Sequence, residues 1–532
     1  MKFKKITLVF LSAIIIFSCH NEARNNVERD TTVNPITSFN NLFLDSAALE
    51  RFLATDTFFD RYTQQFSDFY KQRNYEFAWF DSGSLAEQAG NFMNLLSSTI
   101  ENLNDSSLYN ERLQQLFNYY SSGAKKINKD SALETELLLT GQFFNYAAKV
   151  YKGSDIDVTQ LGWFIPRKKI DLTAMLNSAI QSKSSAPAGN DILNSQYDQL
   201  QSFLPKYNAI AKNESWDSLP TPDEKWKLGT KDKLIRKIKH RLFLLGDMDE
   251  DDSSKTFDKA MIEGIESFQQ RMGLSVDGEI GQKMMDELNV PINDRIKQIL
   301  VNLERLRWMP AQNDSIYFVV NIPEYKLHVY DSGKIKFNMN VIVGAAATST
   351  VIFNGNLKYI VFSPYWNVPP SIVTKEIVPG IAKDKNYIAE HNMEITGKSN
   401  GLPVVRQKPG ADNSLGLVKF LFPNSYDIYL HDTPNHDLFS QSSRGLSHGC
   451  IRLSNPKKIA QFLLRNDTTW TSEKIDSCMH LTKEDWVTLP ENQRVPVFIV
   501  YFTSWVDKNG KLNFRKDIYG HDAELANKLF IK

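Results

Sequence analysis

Apolar residues recur at helical spacing from about residue 40 to 225. The segments 58–73, 86–103 and 139–153 each place aromatic and aliphatic side chains three or four positions apart. This spacing puts the apolar side chains on one face of a helix. Gly153 follows the last segment as a residue typical of a helix C-terminus. The pattern predicts a helical region whose aromatic faces form its core.

A second helical group follows the Pro- and Asp-rich stretch 214–226, where we place a boundary. Between residues 227 and 291, three short amphipathic segments succeed one another, the first ending at Gly246. A turn at Asp277-Gly278 precedes the third segment. The spacing predicts a small bundle of three helices.

The apolar period changes from that of a helix to that of a strand after Pro310, which ends a predicted helix at 292–310. Residues 325–344 alternate apolar and polar positions on both sides of Asp331-Ser332-Gly333, which predicts a hairpin. Further short strands are predicted up to about residue 520, in a sandwich or a partly open barrel. An interruption at about 371–425 is predicted to be helical and then loop-like.

These patterns predict a multidomain α+β protein. Its predicted parts are a signal peptide of the lipoprotein type at 1–18, a flexible tether at 19–40, a helical scaffold domain at 41–226, a three-helix module at 227–291, and a β-rich, sandwich-like domain at 292–522 with a capping insertion at about 371–425.

The N-terminus has the pattern of an export signal. Lysines precede an apolar run from Ile6 to Phe17, which is too short to span a bilayer. Ser18 and Cys19 then complete a stretch that resembles a bacterial lipobox, which implies cleavage before Cys19 and acylation of its sulfur. The alternative is a plain signal peptide with an incidental cysteine. Both alternatives predict export, and His20 after Cys19 favours an outer-membrane anchor on the periplasmic side.

Charge excludes one class of partner. Lysine and arginine total 62, as do aspartate and glutamate. Nucleic-acid binding requires a concentrated basic face, and the balanced charge gives no sign of one. We therefore expect no nucleic-acid partner, and a membrane contact only through the N-terminal anchor.

The stretch RGLSHGCIRLSNP at 444–456 contains Cys450, one of three cysteines. A thiol becomes a nucleophile as its thiolate, and a neighbouring histidine lowers the thiol pKa and moves the proton. Two histidines are candidates for this partner. His448 lies two residues before Cys450, and His431 follows a predicted strand at 427–430, with Asp432 beginning the turn that orients it.

Backbone amides near Cys450 fit a second requirement of acyl transfer, the stabilisation of an oxyanion. Gly449 permits a sharp turn, so that the amides of His448, Gly449 and Cys450 can converge, with Ser447 orienting the loop. Arg452 either binds a substrate carboxylate or pairs with a local aspartate.

Three alternatives to a nucleophile exist for Cys450, namely a metal ligand, a disulfide partner and a residue packed in the core, but the flanking Ser-His-Gly is too polar for a core. Together with His431, His436 and His448, Cys450 forms a set of zinc-compatible ligands, but the chain has neither a CxxC nor an HExxH spacing. The disulfide would join Cys450 to Cys478. We expect neither a metal nor a cofactor.

The pair HDTP at 431–434 and SHGCIR at 447–452 resembles the signature of L,D-transpeptidases with a YkuD-type catalytic domain. The three-helix module resembles a peptidoglycan-binding domain. The chain also resembles the long, YcbB-like subclass of this family over about residues 45–522. The stretches that carry this likeness are 302–310, 320–330, 341–344, 363–372 and 500–520.

The resemblance implies a transferase of peptidoglycan biosynthesis that makes 3→3 cross-links between a donor tetrapeptide stem and an acceptor stem. It implies Cys450 as nucleophile, His431 as base and acid, and His448 as a residue shaping the oxyanion loop. Tyr365 and Trp366 either line the donor groove or lie buried in the sheet. Carbapenems are implied as covalent inhibitors.

Two other functions remain open from the sequence. Water in place of the acceptor amine would give an L,D-carboxypeptidase or an endopeptidase through the same thioester. A wall-binding scaffold with an inactive catalytic domain is the third. If His431 activates the thiol, the sequence predicts a Cys450 pKa well below that of a free thiol.

Overall fold

The computed structural model describes residues 42–81, 84–103, 105–122, 128–182, 195–310 and 315–530. The predicted signal peptide, Cys19 and the tether lie outside these ranges. No helix within the described ranges combines the length and the apolar character that a bilayer crossing needs.

Helices dominate the chain before residue 226, as predicted. They are α1 (Ser46–Thr55), α2 (Thr63–Gln72), α3 (Glu87–Leu103), α4 (Glu111–Ser121), α5 (Lys129–Ala147), α6 (Leu172–Ser182), α7 (Ser195–Gln201) and α8 (Leu204–Asn213). A two-residue pair of strands, β1 (Phe80–Asp81) and β2 (Ser84–Leu85), was not predicted. Gly153 ends the turn that follows α5, with φ +80°, as its position predicts.

The chain divides into two compact units. The first takes the described residues up to Met93, those of 110–145 and those from 173 to 182. Its core is aromatic, and Phe66 and Phe144 meet edge to face with their centroids 5.4 Å apart.

A buried carboxylate, Glu136, organises the polar part of this first unit. It accepts hydrogen bonds from the Tyr70 hydroxyl at 2.9 Å and from the backbone amides of Ala78 at 2.7 Å and Trp79 at 2.9 Å. Burial raises the pKa of Glu136 to about 7. The carboxylate therefore joins α2, α5 and the segment before β1.

The second unit contains the predicted three-helix module. Its helices are α9 (Lys233–Leu245), α10 (Lys259–Met272) and α11 (Gln282–Leu288), followed by α12 (Ile292–Trp308). Asp232 caps α9 through the amide of Leu234, and Gly246 ends it with φ +86°, as predicted. The apolar cluster of this module also contains residues of α7 and α8. The domain bounds proposed from the sequence stay predictions.

The β-rich region is built on one large sheet, and the prediction of a multidomain α+β protein is confirmed. Its strands are β3 (Ile316–Asn321), β4 (Lys326–Asp331), β5 (Lys334–Gly344), β6 (Asn354–Leu357), β7 (Tyr359–Phe362), β11 (Val418–Leu421), β12 (Leu430–His431), β13 (Gly445–Ser447), β14 (Ile451–Leu453), β15 (Asp485–Thr488) and β16 (Val495–Val500). Their order is β15-β7-β11-β12-β14-β5-β4-β3-β16-β6, and β13 pairs with β5.

The hairpin predicted at 325–344 is present as β4 and β5, and its turn has φ +53° at Ser332 and φ +76° at Gly333. The strand predicted at 427–430 is shorter and later, because Asp427 has φ +54° and extended pairing begins only at Leu430. Two neighbouring pairs, β12 with β14 and β16 with β3, are parallel, which the sequence did not predict.

The capping segment agrees with the prediction in its helical part and differs from it in the part predicted as a loop. Helices α13 (Pro370–Ile372), α14 (Val378–Lys383) and α15 (Tyr387–Glu390) match the predicted helical part. The predicted loop is wrong, because β9 (Met393–Ser399) and β10 (Leu402–Gln407) form a hairpin that pairs with β8 (Trp366–Asn367). The end of the predicted insertion is β11, a strand of the large sheet.

The remaining elements follow the sheet in sequence. They are α16 (Pro456–Leu463), α17 (Ser472–Cys478), β17 (Ser504–Val506), β18 (Leu512–Phe514) and α18 (His521–Leu529). Ile459 and Ala460 of α16 are fully buried in the apolar cluster of the sheet. This packing holds the strands that carry the candidate site.

Candidate active site

The parallel pair β12 and β14 brings the signature residues together. His431 is aligned with Arg452 across the pair. Aligned side chains lie on one face of a sheet, and alternate residues share a face. Tyr429 and Cys450 directly precede the two strands, and the amide of Ile451 donates to the carbonyl oxygen of Tyr429 at 3.2 Å. The Tyr429 ring lies 5.6 Å from the His431 ring, centroid to centroid, and its hydroxyl contacts the Cys450 thiol.

His431 is held as a neutral base. Its side chain is buried, with 4% of the residue exposed. Nδ1 lies 2.5 Å from the carbonyl oxygen of Asp432, and a carbonyl only accepts, so Nδ1 carries the proton and donates it. Nε2 therefore keeps its lone pair. Burial, with the positive charges of Arg452 and Lys419, lowers the pKa of His431 to about 3.

Asp432 acts on His431 through its backbone, while its carboxylate is used elsewhere. Oδ2 accepts a hydrogen bond from the amide of Leu417 at 2.9 Å, and Oδ1 lies 3.3 Å from Nε2 of His436. Gly416 packs against this carboxylate with φ +62°, and a Cβ there would meet Asp432 Cγ at 2.4 Å. The carboxylate thus fixes the backbone from which His431 projects.

Cys450 is half-buried, and its thiol lies 3.5 Å from the carbonyl oxygen of Asp427. Burial raises the pKa of this thiol, which is the opposite of the direction predicted from the sequence. Cys450 lies two residues before Arg452, which is aligned with His431, so extended geometry puts the Cα atoms of His431 and Cys450 about 8 Å apart. The resting pair is therefore a neutral thiol and a neutral imidazole.

The loop before Cys450 is shaped by Ser447 and Gly449. The Ser447 hydroxyl donates to the carbonyl of Cys450 at 2.5 Å and accepts from the amide of Gly449 at 3.1 Å. Gly449 has φ +115°, which a side chain would strain. Because the Gly449 amide is used within the loop, the amides without a partner among the described residues are those of His448 and Cys450. These two are the better candidates for an oxyanion hole.

A second loop supports the first, and sequence reasoning did not find it. Thr350 donates through its hydroxyl to the carbonyl of Gly449 at 2.8 Å, and Thr348 does so to the carbonyl of Ser447 at 2.9 Å. The Tyr519 hydroxyl accepts from the Thr350 amide at 3.3 Å and donates to the carbonyl of Gly344 at 2.6 Å. These contacts join residues that are far apart in sequence, so no local motif predicts them.

Three predicted residues lie at the capping segment. His448 is exposed, and its Nε2 is 3.6 Å from the Glu376 carboxylate. Tyr365 lies under the guanidinium of Arg406, 4.1 Å from ring centre to Cζ. Trp366 belongs to β8 and packs against the apolar cluster of the cap rather than in the large sheet. Tyr365 and Trp366 are thus half-buried where the cap meets the sheet.

The disulfide and metal alternatives to a nucleophile are addressed by two findings. Cys450 and Cys478 are free thiols. Within the described part of the chain, no three histidine, cysteine, aspartate or glutamate side chains lie close enough to share a metal ion.

Three family models match consecutive parts of the chain. Residues 315–475 match the L,D-transpeptidase catalytic domain, YkuD. Residues 64–204 match the Scaffold domain, and residues 231–288 match a peptidoglycan binding domain whose description is itself provisional. All the residues of the site except Tyr519 lie within the first match.

A relative and two solved structures show similarity. A protein from Haemophilus influenzae, named as a candidate L,D-transpeptidase, is 33% identical over 244 residues, covering 43% of this chain and 49% of that protein. The chain thus spans about half the length of this curated relative. An L,D-transpeptidase from Stackebrandtia nassauensis shows 15% identity and a TM-score of 0.21, over 53% of this chain and 97% of its own. An L,D-transpeptidase solved with imipenem shows 15% identity and a TM-score of 0.19, over 36% and 61%.

The two TM-scores are too low to carry an argument about the whole chain. The match at 315–475 contains His431, Cys450 and the loop at Gly449, and with them strands β12 and β14 of the sheet described above. Residues 315–475 are therefore similar to the L,D-transpeptidase catalytic domain.

Proposed function

We propose that the protein is a cysteine-dependent peptidoglycan L,D-transpeptidase that forms 3→3 cross-links through a thioester. The observation that carries this proposal is the alignment of β12 with β14. It sets the buried, neutral His431 beside the strand that Cys450 directly precedes, and the amides of His448 and Cys450 have no partner among the described residues. A nucleophile, a base and oxyanion donors are the three requirements of acyl transfer.

The first step of the proposed reaction is the acylation of Cys450 by the donor stem. The Cys450 sulfur attacks the carbonyl at the L-centre of the donor's diaminopimelate as its proton passes to Nε2 of His431. The amides of His448 and Cys450 receive the charge of the tetrahedral oxyanion. Collapse breaks the bond to the terminal D-alanine, whose nitrogen takes the proton from His431. A thioester and free D-alanine result.

The thioester is resolved by an amine. The side-chain amine of an acceptor's diaminopimelate attacks the carbonyl, and His431 accepts the amine proton and returns it to the sulfur. The result is a 3→3 peptide bond and the restored thiol. Cys450 and His431 are both neutral at rest, so their thiolate–imidazolium ion pair forms only during attack. The neutral thiol of Cys450 is thereby protected from unspecific reaction.

The wider setting belongs to the same proposal. We place the enzyme in the long, YcbB-like subclass, which the order of scaffold, binding module and catalytic domain supports. The three-helix module would hold the enzyme on peptidoglycan. Acylation of Cys19 would anchor it on the periplasmic side, and carbapenems would acylate Cys450.

The test replaces Cys450 and follows products by mass spectrometry. The wild-type protein, given a disaccharide tetrapeptide, is expected to yield 3→3 dimers and D-alanine, and Cys450→Ala to yield neither. Cys478→Ala is the matched control, since Cys478 is also a free, half-buried thiol. Tripeptide without dimer would show hydrolysis instead. Dimers formed by Cys450→Ala would overturn the assignment.

A further inference from the structure

Two cations flank His431 in one row across the sheet. Lys419 of β11 is aligned with His431 of β12, and His431 is aligned with Arg452 of β14. Aligned residues of neighbouring strands project on the same face. With a strand spacing of about 4.8 Å, the Cα atoms of Lys419 and Arg452 are roughly 10 Å apart, with His431 midway. Both charges act on His431, because both lower its pKa.

Neither cation has an acidic partner. Among the described residues, no carboxylate lies within 4 Å of Lys419 or Arg452. Nε of Arg452 is buried without an acceptor. Nζ of Lys419 lies 3.5 Å from the carbonyl oxygen of Tyr365 and 5.6 Å from the centre of the Trp486 ring. The charge of Glu484 acts on it from beyond ion-pair distance. Burial lowers the pKa of both side chains, so each is held at a cost in solvation.

Three buried arginines elsewhere in this unit have a carboxylate partner. Arg271 contacts Asp247, Arg295 contacts Glu287, and Arg305 contacts Asp522. A buried cation without a counter-charge destabilises a fold, so its presence calls for a ligand that supplies the missing charge. Arg241 and Arg444 also lack a carboxylate partner, but their guanidinium groups donate to other oxygens of the chain. Arg452 donates no hydrogen bond to any described residue.

We propose, building on the function proposed above, that Lys419 and Arg452 bind carboxylates of the donor stem and make the enzyme selective for free carboxylates over carboxamides. The end of the stem carries two free carboxylates, one on the terminal D-alanine and one at the D-centre of diaminopimelate. Arg452 lies two residues from Cys450, about 6.6 Å along the strand, within reach of groups next to the scissile bond. Its planar fork suits bidentate binding, and Lys419 supplies a point charge.

The experiment compares four disaccharide tetrapeptides. One has both carboxylates free, two have a carboxamide at one position each, and the fourth has both amidated. Charge-assisted hydrogen bonds contribute roughly ten- to hundredfold, so kcat/KM of the wild-type protein is expected to fall by about that factor for each carboxamide. This comparison needs no mutation, so misfolding cannot blur it.

Variants then assign each carboxylate to a cation. Arg452→Met and Lys419→Met are each expected to lose about tenfold or more in kcat/KM on the free stem and to become indifferent to amidation at one position. Lys419→Arg and Arg452→Lys should retain part of the discrimination. Lys334→Met, at the exposed first residue of β5, is the matched control with no expected effect.

If Lys419 and Arg452 had only a structural role, their substitution by methionine would lower the turnover of all four stems equally. Removing either charge should also raise the pKa of His431, which a histidine NMR titration measures. Equal turnover of all stems by the wild-type protein overturns this inference alone, whereas no turnover of any stem overturns the proposed function as well.

Discussion

A buried arginine and a half-buried arginine of the same unit stand in opposite surroundings. In the three-helix module, Nε and Nη2 of Arg271 donate to the Asp247 carboxylate at 2.7 and 2.5 Å, and this carboxylate also accepts from Ser267. In the catalytic sheet, Arg452 has no carboxylate partner. The Asp247 pairing raises the pKa of Arg271, while burial lowers that of Arg452.

The difference separates a charge that is neutralised within the fold from one that, in our proposal, is neutralised by a ligand. Arg271 is neutralised by its own chain, so its pair tolerates burial. Arg452 is left to be neutralised by something outside the chain. A binding site can thus be recognised by charged side chains that lack an oppositely charged partner, as well as by the contacts that its side chains make.

The largest expected effect breaks the pair in the three-helix module. Asp247→Ala leaves Arg271 buried without a counter-charge, and removal of one partner of a buried pair typically costs about 3–5 kcal/mol. Urea denaturation should show this loss. Asp249→Ala, an exposed position in the same loop, is the control and should change stability little. Equal stability of Asp247→Ala and the wild-type protein would contradict the role given to this pair.

A smaller effect concerns the buried base. The folded protein keeps His431 neutral down to about pH 3, whereas the unfolded chain takes up a proton near pH 6.5. Stability from this residue is therefore complete above pH 6.5 and is lost as the pH falls towards 3. Between pH 7 and pH 5 the loss is about 2 kcal/mol.

The test for His431 compares the pH dependence of the free energy of unfolding in two proteins. Free energies of unfolding at pH 7 and pH 5 are compared between the wild-type protein and His431→Gln, which removes this titration and leaves the others. A shallower pH dependence in the variant supports the buried neutral base. Identical slopes would show that His431 is protonated in the fold near its ordinary pKa.

The smallest expected effect on stability belongs to Arg452. Because it has no acidic partner, Arg452→Met should change the free energy of unfolding by less than about 1 kcal/mol, or raise it, since an uncompensated cation is removed. Thermal unfolding without ligand tests this. A loss as large as that of Asp247→Ala would mean that Arg452 has a structural partner, and the contrast with Arg271 would collapse.

The sequence predicted the identities at the site better than their chemistry. Cys450, His431 and Gly449 were found because a short motif contains them. The direction of the Cys450 pKa was predicted wrongly, because burial depends on the cap and the sheet and not on the neighbours in sequence. Lys419 and Tyr519 were missed for the same reason, since strand register and long-range contacts bring them to the site.

The fold was predicted where local chemistry decides it. The hairpin of β4 and β5 was found from its turn residues, and α12 from its apolar period. The hairpin of β9 and β10 was missed although Asn400-Gly401 marks its turn, with φ +50° and +80°. Parallel pairing of β12 with β14 has no local signal, because it joins segments separated by the loop that carries Ser447.

The hydroxyl of Tyr519 has a practical consequence for anyone who dissects this protein. The matched catalytic segment stops at residue 475, yet Tyr519 fastens the loop behind Gly449, and β16 occupies an inner position of the large sheet. An expression fragment trimmed to the family boundary would lose an inner strand and the brace of its oxyanion loop. Inactivity of such a fragment would report on the trimming rather than on the enzyme.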